Sequence, residues 1–241
     1  LGFNCVRKHI KVEPSRWYYW CDKLGLLVWQ DMPSANSYLD GKDREKPVAV
    51  DKPQYKTELV NMVRSNWNHP SIIMWVVFNE EQGQHDTDSL AAEVKGLDPT
   101  RLLNPASGTT VWGKVHDTKS GDVMDVHIYP GPSSPTPTAE RVAVLGEFGG
   151  LGFPVEGHKW SKNVWGYKNS ADPKTWISEY EKLLAKTWEL KDQPGLSGAI
   201  YTQLTDVESE GNGLVTYDRE VIKMDIDRVK AANTGKPPGQ P

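Results

Sequence analysis

This chain of 241 residues is poor in cysteine, in surplus positive charge and in long apolar runs. Two cysteines, Cys5 and Cys21, exclude a disulfide scaffold and leave the redox compartment open. One falls in a strand pattern and the other in a helix pattern, so buried thiols are expected. Lys and Arg number 28 against 32 Asp and Glu, a net charge of −4, which argues against electrostatic binding of nucleic acid or an anionic membrane. No run approaches the ~20 apolar residues of a membrane span. Several motifs are also missing. There is no His-Glu-x-x-His zinc helix, no Gly-x-Ser-x-Gly nucleophile elbow and no dinucleotide glycine fingerprint. Gly108 to Lys114 matches most of a phosphate loop, but Val115 stands where a magnesium-binding hydroxyl belongs and no helix pattern follows. His85-Asp86 and His116-Asp117 each lack a spaced third ligand, so neither a metal nor a cofactor is expected.

Short apolar runs alternate with helical patterns, as in βα units around a mostly parallel sheet. Strands are expected at Phe3 to His9, Leu26 to Gln30, Ser71 to Phe78, Leu102 to Ala106, Met124 to Tyr129, Val142 to Gly146 and Leu196 to Leu204. Helices are expected at Pro14 to Leu24, on the face Tyr55, Leu59, Met62 and Val63, and on Leu90, Val94 and Leu97. Asp172-Pro173 announces the strongest helix, an Asp cap followed by Pro at the first position. Ile222, Ile226 and Val229 mark a closing helix. Connections 107–123 and 130–141 are Gly/Pro-rich and show no helix pattern. Seven strands are one short of a (β/α)8 barrel of about 250 residues. The expected fold is therefore an α/β TIM barrel with strands 2 to 8 present and the first lying before residue 1. The barrel is expected over 1–229, with a Pro/Gly-rich tail over 230–241.

Barrel active sites lie at the carboxyl ends of strands. Those ends carry Arg7 and His9, Asp31, Asn79 and Glu80, His127 and Tyr129, Glu147, and Thr202 with Gln203. Glu80 and Glu147 each follow a long apolar strand, where a carboxylate is costly unless paired or used. Two such groups facing one barrel mouth form the pair that glycoside hydrolysis needs. A lone strand-end Glu also serves as a salt-bridge partner or helix cap, and Glu81 competes with Glu80 or is a solvated loop residue. Ten tryptophans divide by position. Trp17, Trp20, Trp67, Trp176 and Trp188 fall on helices and are expected to pack; Trp29 and Trp75 read as core. Trp112, Trp160 and Trp165 lie in long loops with Tyr167 nearby, placed either to stack on sugar rings or to pin their own loops.

GFNCVRKH, CDKLGLLVWQDMP, NHPSIIMWVVFNE and VLGEFGG, in that order, resemble the catalytic barrel of glycoside hydrolase family 2. The resemblance covers roughly residues 2 to 229 and implies a retaining β-glycosidase acting on a carbohydrate substrate. It implies Glu80 as acid/base, Glu147 as nucleophile, Asn79 on the sugar 2-hydroxyl, Tyr129 on the nucleophile and Arg7 keeping that nucleophile ionised. His9 and His127 are implied as sugar-binding positions, and Trp165, from its place in a long loop, is the aromatic expected to bind substrate. Gln203 or Thr202 stands near where the family usually places a Trp under the sugar, and His9 lies one residue nearer the arginine than in the β-galactosidases. The resemblance also implies partners within a longer protein: N-terminal β-sandwich domains and the first barrel strand, which this chain lacks. A barrel without that strand is alternatively a non-catalytic carbohydrate-binding domain or an inactive fragment. Lys159, Lys162 and Lys168 are candidate partners for a uronic acid by default.

Overall fold

The computed structural model describes residues 1–34, 50–109 and 117–236. Trp112, His116, most of the phosphate-loop-like segment and tail residues 237–241 lie outside the described residues. The chain forms two compact units. One comprises Asn4–Val126 and Pro137–Val142, the other Leu1–Phe3, His127–Thr136 and the chain from Ala143 onward.

The first unit is built from βα repeats. Strand β1 (Cys5–Lys8) leads to α1 (Ser15–Leu24), β2 (Leu27–Asp31), α2 (Lys52–Asn66), β3 (Ile72–Val76), α3 (Thr87–Leu97) and β4 (Leu102–Asn104). The four strands are parallel and lie in chain order, β1-β2-β3-β4. Consecutive order is the barrel arrangement; a doubly wound sheet reverses at a switch point. Helix α1 starts after Pro14 and ends at Gly25, whose φ of 70° makes the left-handed cap. The Asp51 carboxylate accepts from Gln54 N and caps α2. The core joins Tyr18, Leu59, Val63, Trp75, Phe78, Leu90 and Val94 from strands and helices alike. Asp98 is tied into it by Trp75 Nε1 at 3.0 Å and Arg101 Nη1 at 2.5 Å.

Strands β5 (Val123–Ile128) and β6 (Val142–Gly149) each straddle the boundary between units. The second unit continues with short β7 (Leu151–Gly152) and β8 (Lys168–Asn169), then α4 (Pro173–Asp192), β9 (Leu196–Thr202) and α5 (Ile226–Thr234). The sheet order is β5-β6-β9, with β6 and β9 parallel. Asp172 caps α4 as the sequence predicts, accepting from Lys174 N and Thr175 N. Trp176 and Tyr180 on α4 are fully buried and stacked, and Tyr180 meets Tyr201 of β9 edge to face.

Several expectations are corrected. Ile222 is not in the closing helix; it bridges to Val215, and the helix begins at Ile226. That helix runs on to Thr234, so regular structure enters the segment read as tail. Trp20, Trp67 and Trp188 are exposed: Trp20 lies on the solvent side of α1, Trp67 at the end of α2, and Trp188 one turn beyond buried Leu184 near the end of α4, where its Nε1 donates to Ala232 O at 3.0 Å. Trp29, Trp75 and Trp176 are buried as expected, and Cys21 is buried while Cys5 is half-buried. The pair β7 and β8, two residues each, has no counterpart in the sequence reading. No described helix is long and apolar enough to cross a membrane.

Candidate active site

The first unit gathers Arg7, His9, Asp31, Asn79 and Glu80 at the ends of β1, β2 and β3. Parallel pairing sets Arg7 beside Trp29 on β2, one strand from Asp31. The Arg7 guanidinium donates from Nε at 3.1 Å to both Asp31 oxygens and from Nη2 at 2.8 Å to Oδ2. Both side chains are almost wholly buried. Burial alone raises the Asp31 pKa, but the Arg7 charge, helped by His9, outweighs it and holds the carboxyl below its usual range. Arg7 Nη2 also donates to Asn79 Oδ1 at 2.8 Å. Because arginine only donates, this bond fixes which end of the Asn79 amide is oxygen and leaves the NH2 end for other partners. His9 Nδ1 lies 3.5 Å from Asp31 and its ring is half exposed. Asn79 bridges to Ser107, and Glu80 N donates to Ser107 O at 3.0 Å, pinning the strand end. Glu80 and Glu81 adopt φ of 47° and 64°, left-handed values that side chains other than glycine rarely take. Such strain costs about 1–3 kcal/mol per residue and concentrates at functional positions.

The second unit holds His127, Tyr129, Glu147, Trp165, Thr202 and Gln203. The register of β6 against β9 slips between Leu145 and Phe148, a bulge around Glu147. Bulges re-aim side chains, which is how a carboxylate within an otherwise buried strand stays within reach. Tyr129 Oη donates to Glu147 Oε2 at 2.5 Å and lies 2.9 Å from Thr202 Oγ1. Burial first, and the Glu147 charge second, raise the Tyr129 pKa, so the phenol keeps its proton and acts as donor. His127 Nδ1, fully buried, lies 3.6 Å from the same carboxylate oxygen. The Tyr129 ring stacks on Tyr167 with centroids 3.6 Å apart and planes at 3°, and Trp165 meets Tyr167 edge on. Trp165 is 45% and Tyr167 48% exposed, so both keep aromatic surface at the solvent. Trp160 is exposed too, but packs on Tyr217. Gln203 follows Thr202 through a cis peptide and donates from Nε2 to Asn212 Oδ1 at 2.7 Å.

Within its own unit Glu80 follows the Asn79 amide held by Arg7, and Glu147 meets Tyr129 and His127, while Arg7, expected on Glu147, is engaged with Asp31 and Asn79. Asp31, which the sequence marked only as a strand end, is the bidentate partner of Arg7. The sequence did not show that Thr202 and Tyr167 hold Tyr129, the one by hydrogen bond and the other by stacking. Their signals were present: Thr202 was among the strand-end residues and Tyr167 among the loop aromatics. For a metal, His158, Asp218 and Glu220 bring ligand atoms within 4.8 Å of one another. Their closeness is explained by hydrogen bonds, since Asp218 accepts from Thr216 Oγ1 and pairs with His158 Nδ1.

Parallel βα units in chain order are the arrangement of an α/β TIM barrel. Residues 1–230 match the model of the "Glycosyl hydrolases family 2, TIM barrel domain", and the chain belongs to that family. A β-galactosidase of Leuconostoc mesenteroides is 30% identical over 129 residues, 51% of this chain and 11% of that protein. A β-glucuronidase of Bacteroides fragilis is 31% identical over 114 residues, 44% of this chain and 16% of that protein. The structure of a β-galacturonidase from Eisenbergiella tayi bound to galacturonate superposes with a TM-score of 0.70 at 18% identity. That match covers 98% of this chain and 45% of the solved one, and it shows the α/β TIM-barrel fold. The chain therefore spans less than half the length of each of these proteins.

Proposed function

We propose that this chain is the catalytic barrel of a retaining β-glycosidase, hydrolysing O-glycosidic bonds through a covalent glycosyl-enzyme intermediate. The observation that carries the reading is Glu147, placed on a strand bulge and held at one oxygen by the protonated Tyr129 phenol. A hydrogen bond from a neutral donor to one carboxylate oxygen fixes the rotamer of the nucleophile and steadies its negative charge without removing it.

In the first step the Glu147 carboxylate attacks the anomeric carbon. The C–O bond to the leaving group breaks, and Glu80 delivers its proton to the departing oxygen. In the second, Glu80 takes a proton from water, which attacks the anomeric carbon and releases Glu147 as carboxylate. The fixed Asn79 amide presents its NH2 to the sugar 2-hydroxyl, a bond that strengthens in the transition state. Arg7 and Asp31 hold that amide in place, and His127 and His9 complete the sugar-binding set. A separation of about 5–5.5 Å between the Glu80 and Glu147 carboxyl groups is what this mechanism requires. The carbohydrate substrate, and any further domains of a longer protein, are part of this proposal.

The test is kinetic. Glu80→Ala and Glu147→Gly are each expected to abolish turnover of an activated aryl glycoside. Added azide should restore release of the aryl group in both, giving β-glycosyl azide from Glu80→Ala and α-glycosyl azide from Glu147→Gly. Azide products of one configuration from both variants would overturn the assignment.

A further inference from the structure

A chain of side chains runs into the Glu147 wall from the loop after β9. Asn212 is completely buried, and its Nδ2 donates to Glu210 Oε1 at 2.9 Å. A carboxylate only accepts, so this bond decides which end of the Asn212 amide is nitrogen. Asn212 Oδ1 must then face Gln203, which donates to it from Nε2 at 2.7 Å. The same logic fixes Gln203. Its NH2 end is turned to Asn212, and its Oε1 has no protein partner among the described residues. The backbone holds it as well, Leu214 N donating to Gln203 O at 3.2 Å.

This relay belongs to the wall that carries the candidate nucleophile. Gln203 follows Thr202, which meets the Tyr129 hydroxyl bound to Glu147. The Trp165 backbone bonds the loop on both sides of Glu210, donating to Ser209 O at 2.9 Å and accepting from Gly211 N at 2.8 Å. What the relay offers at its end is a carbonyl oxygen backed by a negative charge, a group that takes a hydroxyl donor and disfavours a carboxylate. Of the lysines that could meet a uronate, three are held by carboxylates. Lys223, on the same loop, is buried and bound to Asp206 at 2.6 Å and to Gly211 O. Lys168 pairs with Glu179 and Lys159 with Glu156, while Lys162 lies exposed.

We propose that Glu210 is a positioning residue, acting through Asn212 to hold the Gln203 carbonyl as an acceptor for the sugar hydroxyl that a uronide replaces with a carboxylate, so that the substrate is a neutral glycoside and not a uronide. The inference rests on the glycosidase reading above and adds the substrate class to it. A site built to accept a hydroxyl discriminates strongly against an analogue that cannot donate.

The experiment uses the full chain with 4-nitrophenyl β-galactoside and β-glucoside against the corresponding β-galacturonide and β-glucuronide. In parallel, calorimetry compares a neutral 1,5-glyconolactone with a uronic-acid lactone. Neutral ligands are expected to win by about 100-fold or more in kcat/KM and in affinity. Glu210→Gln, whose amide can present either end to Asn212, should raise KM for the neutral substrate about tenfold with a much smaller fall in kcat. Glu210→Asp should recover most of that loss, whereas a purely structural role would lower Tm and active fraction without splitting KM from kcat. Preference for the uronides, or an unchanged KM in Glu210→Gln, overturns this inference and leaves the glycosidase reading standing. Failure to turn over any of the four, with tight binding of the neutral lactone, overturns the glycosidase reading and keeps the specificity. Binding of neither lactone overturns both.

Discussion

Tyr129 Oη donates a 2.5 Å hydrogen bond to Glu147 Oε2, and the phenol itself is gripped by Thr202 Oγ1 at 2.9 Å and by the stacked ring of Tyr167. Four segments of the chain meet at this one side chain. It fixes the carboxylate rotamer and supplies a proton that burial and the Glu147 charge keep in place at alkaline pH.

Tyr129→Phe removes that donor and keeps the stacking ring. Turnover of an aryl β-glycoside should fall about 100-fold, the range for losing one preorganised donor, while Tm changes little. Steady-state kinetics with a thermal melt checks both. A variant as active as the parent would remove Tyr129 from the mechanism.

Arg7→Lys tests the fork on Asp31 and Asn79. Lysine is a point charge and cannot reproduce the bidentate geometry, leaving a buried Asp31 poorly paired. A loss of about 3 kcal/mol in denaturant unfolding is expected. The loss in kcat/KM should exceed that of the more exposed His9→Ala, because Asn79 loses its orientation along with Asp31.

Acid stability is governed in part by Asp98, which is buried. Burial raises its pKa, but hydrogen bonds from Thr100, Arg101 and Trp75 outweigh this and lower it from 3.8 to about 2. A depressed folded-state value means stability fully present above the unfolded pKa near 3.8 and lost as pH falls towards about 2. Asp98→Asn should therefore destabilise the protein at pH 7 by roughly 2 kcal/mol and flatten the acid limb between pH 4 and about 2. Urea unfolding across that range reads the difference. An equal penalty for the variant at pH 7 and at pH 2 would contradict it.

Gly149→Ala probes how tightly β6 meets β9 just beyond Glu147. Gly149 has φ of +91°, and a Cβ there would lie 2.1 Å from the Tyr201 ring, which is buried. Strain and overpacking together should cost about 3 kcal/mol or more. Gly25→Ala is the control. It shares a positive φ, has open space around the new methyl, and should cost only about 1 kcal/mol.

Much of this was legible in the sequence because local rules decided it. Asp172-Pro173 fixed the start of α4, and the spacing of Tyr55, Leu59, Met62 and Val63 fixed the buried face of α2. Long apolar runs leading to Glu80 and Glu147 marked β3 and β6, although β3 stops at Val76 and β6 runs past Glu147 to Gly149. What the sequence did not carry was set by tertiary geometry. The exposure of Trp20 depends on which side of α1 is covered, and that of Trp67 and Trp188 on their places near helix ends, which a single large apolar residue does not reveal. The union of Arg7 with Asp31 depends on the register between β1 and β2, and the bulge that turns Glu147 depends on β6 pairing with β9. Ile222 continued an apolar helical spacing, but its backbone is taken by a bridge to Val215.

The central claim is that Glu147 is the nucleophile, and covalent trapping tests it most directly. The chain is incubated with a 2-deoxy-2-fluoro-β-glycosyl fluoride of a neutral hexose, then weighed intact and mapped by peptide mass spectrometry. The account predicts one fluoroglycosyl adduct per chain, on the peptide containing Glu147, absent from Glu147→Gln. An adduct on another residue, or turnover with inversion at the anomeric carbon and no adduct, would contradict it.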